Sequence, residues 1–142
     1  MKTVLFVFTV ALVLNLIWEH LHFRLYDCSL GCKVNTLSFL PLPLLLKASL
    51  FDAFFITVLY LLVAAYNGSL SWTASWQTFD TILIACIALS VATFIERNAL
   101  VTHKWAYTSA MPVIPILAIG LSPFLQLAVL AFATYTIIQI FT

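Results

Sequence analysis

Charge is scarce in this sequence. Six Lys or Arg and five Asp or Glu are spread over 142 residues, 8% of the chain, while 64% is hydrophobic. A soluble domain carries about 25% charged residues. So few charges cannot build a water-facing surface, and a soluble fold is excluded. The net charge is +1, far from the basic surface that nucleic acid requires, so nucleic acid is not a partner. Glycine is limited to three residues, and there is no low-complexity stretch and no internal repeat. Cysteine is limited to three as well. Cys28 and Cys32 are four apart, neither the C-x-x-C of redox proteins nor a zinc pair with a second half. On a cytoplasmic side they stay reduced thiols. Cys86 reads as a small packing residue. A small-x-small cleavage site is also missing after the first apolar run, which passes straight into Trp18-Glu19-His20 and therefore reads as a retained helix.

What is present is apolar length. A bilayer core about 30 Å thick needs about 20 apolar residues per helix, and four segments qualify: residues 3–22, 47–66, 79–97 and 123–141. The fold class is therefore an all-α integral membrane protein, a single domain over residues 1–142 with four transmembrane helices in an up-down bundle. Pro41 and Pro43 disfavour helix before the second span. Pro112, Pro115 and Gly120 make residues 111–122 a Pro-kinked or interfacial segment ahead of the last helix. Strands are not expected, since a membrane barrel needs many alternating segments and a closed edge. Arg24, Lys33 and Lys47 lie around the first loop, and Arg97 and Lys104 around the third. The positive-inside rule then places the chain as a multi-pass protein of the cell (plasma or inner) membrane, with loops one and three cytoplasmic and both termini outside. Trp72 and Trp76, in the uncharged second loop, fit an interfacial aromatic belt.

The polar residues collect at one side. NLIWEHLHFRLYDC, residues 15–28, turns abruptly from apolar to ionisable. In an up-down bundle the end of helix one, the start of helix two, the end of helix three and the start of helix four meet. That brings Glu19, Asp52 and Glu96 to similar depth, and only Asp80 falls at the other end. A desolvated carboxylate is a ready general acid or base, so these three are the candidate catalytic residues. Asn15 and Glu19 share a helix face, and His22 continues it with Trp18 beside it. Asn15, Trp18, His22, Arg97, Asn98, Trp105, Tyr107 and Gln126 are the candidate substrate-binding residues, the aromatics lining an apolar pocket that could steady a cation. Arg97 and Arg24 are the natural partners for a carboxylate that must not face lipid. The same cluster also reads as an ion-pair network that fixes helix packing. Lys33, Lys47 and Lys104 read as orientation signals and snorkelling anchors. Glu19-x-x-His22 has di-iron spacing but occurs once, where two copies are needed. No metal and no cofactor are expected.

The stretches Asn15-x-x-Trp18-Glu19, Ala48-x-x-x-Asp52, Glu96-x-x-Ala99-Leu100, Trp105-x-Tyr107-x-x-x-Met111-Pro112-x-x-Pro115 and Gly120-Leu121-x-Pro123-x-x-Gln126 form a series. With Leu25-Tyr26, they resemble a family of small four-helix bacterial integral membrane proteins to which no activity is attached. The resemblance spans most of the chain. It implies that Trp18, Glu19, Tyr26, Asp52, Glu96, Trp105, Tyr107 and Gln126 belong to the family pattern. His103-Lys104 stands where Gly-Arg is expected, which keeps a cation but loses the arginine fork. Three functions fit. The first is a protein that binds or transforms a lipid or isoprenoid-like apolar substrate by carboxylate acid/base chemistry. The second is a non-catalytic membrane subunit or scaffold. The third is a proton-coupled small carrier working as an oligomer. The expected partners are membrane lipids, an apolar small-molecule ligand, and a second copy or another membrane protein.

Overall fold

The computed structural model describes residues 2–27 and 42–141. Cys28, Cys32, Lys33 and Pro41 lie outside the described residues. Four helices dominate: α1 (Lys2–His22), α2 (Leu42–Asn67), α3 (Thr78–Val101) and α4 (Leu121–Phe141). Each is long and apolar enough to cross a membrane, so the chain is an all-α, four-helix membrane protein. Short 3-10 turns follow α1 (Phe23–Leu25) and precede α3 (Trp72–Ser75).

All four helices start earlier than composition suggests, and α2 and α3 also end later. Pro43 lies in the first turn of α2 and Pro123 in the first turn of α4. There the N–H that proline lacks has no intrahelical partner to lose. Proline therefore opens these helices from inside. α3 also continues past Arg97 to Val101.

One face of each helix is buried at helical spacing. On α1 it is Val7, Ala11 and Asn15; on α3 it is Ile84, Ala88, Ala92, Glu96 and Ala99. The small residues let backbones approach closely, as packing between membrane helices requires. α1 packs along both α2 and α4, and α3 packs along α4, while α2 and α3 make little contact with each other. The outward faces are strongly apolar: Phe94 is 73% exposed and Phe54 61%. Cys86 is exposed, a correction to its reading as a packing residue.

At the end near the α2–α3 connection the bundle is plugged by rings. Trp72 is 1% exposed and lies 5.5 Å from both Tyr60 and Tyr135, centre to centre. It is thus a core residue and not part of an aromatic belt; Trp76 packs against it and stacks on Phe132. The Tyr60 hydroxyl donates to the Leu70 carbonyl, and the Tyr135 hydroxyl donates to the Ile56 carbonyl at 2.6 Å. Asp80 accepts from the Gln77 backbone N–H and from Asn67 at 2.9 Å, which caps α3 and ties it to the end of α2.

At the opposite end two short antiparallel ladders appear that the sequence reading did not expect. β1 (Tyr26–Asp27) pairs with β2 (Ala106–Tyr107), Tyr26 opposite Tyr107. β3 (Val113–Ile114) pairs with β4 (Ile119–Gly120). Both lie outside the helices, where backbone groups need partners and no helix supplies them. The segment ahead of α4, expected as kinked or interfacial, is this β3–β4 hairpin, closed by Leu121 N–H to the Pro112 carbonyl at 2.7 Å. Its turn holds Ala118 at φ 52, a left-handed conformation uncommon outside glycine.

Candidate functional site

Two polar knots form at the end of the bundle that carries the ladders. The first is centred on Gln126 of α4. Its side-chain amide nitrogen donates to Glu19 Oε1 at 2.7 Å, to Asp52 Oδ2 at 2.9 Å and to Asn15 Oδ1 at 3.2 Å. An amide nitrogen has two hydrogens, so three acceptors from α1 and α2 share them. Asn15 is aimed by its own amide, which donates to the Ala11 carbonyl. His22 lies three residues beyond Glu19, with Nε2 3.9 Å from Glu19 Oε2. Its Nδ1 is 3.1 Å from the Trp18 carbonyl oxygen. A carbonyl only accepts, so Nδ1 carries the hydrogen in this contact.

The second knot is centred on Glu96 of α3. Its Oε2 accepts from the Tyr107 hydroxyl at 2.5 Å and from the Trp105 indole at 3.3 Å, and its Oε1 accepts from the Tyr26 hydroxyl at 3.3 Å. Tyr107 in turn accepts the backbone N–H of Gly120, the last residue of β4, just ahead of α4. The β1–β2 pairing places Tyr26 and Tyr107 opposite each other, rings 5.6 Å apart. Burial pushes both phenols well above the usual tyrosine range. The Glu96 carboxylate adds to this, through its charge at Tyr26 and chiefly through its hydrogen bond at Tyr107. At neutral pH both phenols are donors.

Between the knots, where α2 and α3 diverge, lies a cavity of about 450 Å³. Glu19, His22, Asp52, Glu96 and Gln126 form its polar floor. Leu44, Leu45, Phe51, Ile95, Trp105 and Leu127 form apolar walls, and Lys47 and Lys104 stand at its margin. Such a cavity suits a ligand with an apolar body and a polar end.

The three candidate carboxylates therefore meet, with His22, Trp105 and Gln126. Asn15 is buried behind Gln126, and Tyr107 reaches the site through Glu96. Trp18 lies outside the cavity wall, its ring edge-on to His22. Arg97 and Asn98 do not join the site: Glu96 points inward, and each further residue turns the helix by about 100°, which leaves both exposed. Arg97 lines a smaller cavity of about 240 Å³ with Leu117 and Ala118. Nor do Arg24 and Arg97 pair with Glu19. Among the described residues its neighbours are Gln126 and His22. Lys47 and Lys104, read as anchors, border the cavity. Tyr26 lies beyond the first helix, and only the family pattern singled it out. Among the described residues no three His, Cys, Asp or Glu converge as metal ligands.

Fold and site together define a polytopic helical membrane protein with a polar-floored cavity between its helices. No protein-family profile matches the chain, and no curated protein or solved structure matches it either. The family resemblance therefore rests on its motifs alone.

Proposed function

We propose that this protein binds an apolar molecule of the lipid or isoprenoid kind in the cavity between α2 and α3, with Glu19, Asp52 and Glu96 placed to exchange protons with its polar end. One observation carries the reading: all four helices send side chains to one apolar-walled cavity whose floor is carboxylates. Carboxylates that only needed to be neutralised would be expected against Arg or Lys, and among the described residues these are not. The cavity end also carries Arg24, Lys47, Arg97 and Lys104, which by the positive-inside rule is the cytoplasmic side of the cell membrane, with both termini outside.

The test is native mass spectrometry of the gently purified protein beside Glu19→Gln. A discrete bound small molecule, absent from the variant, is the expected outcome. Wild type and variant both carrying only bulk phospholipid would reject the reading.

A second reading, a non-catalytic subunit held together by its polar core, draws on the Gln126 knot, which ties three helices at one atom. It predicts full retention of whatever partner the protein has when the cavity is filled by Ala92→Phe.

A further inference from the structure

The floor of the cavity has acceptors in surplus. Glu19 and Asp52 each present two carboxylate oxygens, and the Gln126 amide reaches one of each. Among the described residues no other donor comes within hydrogen-bonding distance of either carboxylate. His22 is 7% exposed, and its Nδ1 is committed to the Trp18 carbonyl. On the neutral ring Nε2 is therefore a further acceptor, without a donor among the described residues, on a residue that lines the cavity. Lys47 and Lys104, the cations at the margin, are exposed and make no ion pair with the floor. Beside it stand Tyr26 and Trp105, edge to face at 5.9 Å, whose electron-rich faces attract cations.

Resting on the binding reading above, we propose that the cavity takes the primary ammonium head of an amphiphile, its tail leaving between α2 and α3. An ammonium brings three donors and a positive charge to a floor whose Glu19 and Asp52 share the single Gln126 amide and which, among the described residues, holds no Lys or Arg. A hydroxyl head brings one donor and no charge, and an anionic head meets three carboxylates. For the tail, Leu44 and Phe51 line the cavity and are also 45% and 56% exposed, so the wall continues onto the outer face where lipid lies.

The experiment uses the full chain in dodecyl maltoside, with four probes of one tail length: dodecylamine, dodecylphosphoethanolamine, dodecanol and dodecanoate. Binding is read from the concentration that raises the unfolding temperature. The expected result is an amine-headed probe binding at least about tenfold tighter than dodecanol, one charge-assisted contact's worth. Which amine is tighter separates a plain long-chain amine from a phospholipid head, and either result supports the proposal. Asp52→Asn and Glu19→Gln, checked for unchanged helicity, should each weaken amine binding about tenfold. If a variant does not fold, the wild-type comparison decides alone. Dodecanol or dodecanoate binding as tightly as the amines overturns the ammonium head and leaves the binding reading standing. No probe binding at all removes both.

Discussion

Gln126 is the residue on which the site turns. One amide nitrogen serves acceptors on α1 and α2 from a position on α4, so its loss leaves two carboxylates and Asn15 Oδ1 without their shared donor. A buried acceptor left unmet costs about 1–3 kcal/mol, more when charged. Gln126→Leu should therefore lower stability by about 2–4 kcal/mol, and Gln126→Glu by more, since it adds a third carboxylate; thermal unfolding in detergent measures both. Tyr26 and Tyr107 make a prediction in pH. Their phenols have pKa values raised on folding, so the folded state holds these protons more tightly than the unfolded state. The stability this gives is complete below the unfolded value of about 10, and is lost as pH rises from there toward the folded values. Stability should fall above that pH, and Tyr26→Phe with Tyr107→Phe should flatten the fall in an unfolding series against pH. Much of this site was legible at residue scale. Counting along the spans was enough to bring Glu19, Asp52 and Glu96 together, and the family pattern with its place on the last helix singled out Gln126. Counting failed at Arg97 and Asn98, because adjacency to an inward Glu96 says nothing of direction until the helix phase is known. It also failed at Tyr26, whose place depends on a strand pairing with a partner 81 residues away that no local pattern announces.

Elements were legible in kind and less so at their ends. Hydropathy located all four helices, but Pro43 read as a barrier when it is a first-turn residue, and Pro123, read as the opening of the last span, lies two residues inside it. The hairpin ahead of α4 was hidden for a different reason: β3 and β4 are two residues each, too short for alternation to register. That hairpin nonetheless positions the site, because Gly120 gives its N–H to Tyr107. A Cβ on Gly120 would meet Met111 Sδ at 2.8 Å and Pro123 Cδ at 3.1 Å. Overpacking of this sort costs about 1–3 kcal/mol. Gly120→Ala should lower the unfolding temperature accordingly, and Met111→Ala in the same chain should return part of the loss, which a double-mutant cycle would quantify. Strict additivity of the two changes would show that Met111 is not the obstacle.

For the whole molecule, the up-down order of four spans is what gathers distant polar residues, and the four spans were readable from hydropathy and length alone. The seam was not. Nothing in the apolar runs distinguishes α2 and α3, which barely touch, from α1 and α2, which pack along one another, because lipid and helix core favour the same side chains. At the far end Asn67 and Asp80 join α2 to α3; near the cavity, among the described residues, no hydrogen bond crosses between them. In mechanical language the pair is a set of tongs with its pin at Asp80. Near the cavity the tips share few contacts and, among the described residues, no hydrogen bond, so little holds them at one separation. If the proposed ligand enters sideways from the bilayer, the opening between α2 and α3 is then a slot hinged at one end, wider for a guest than the packed seams of α1 with α2 and of α3 with α4.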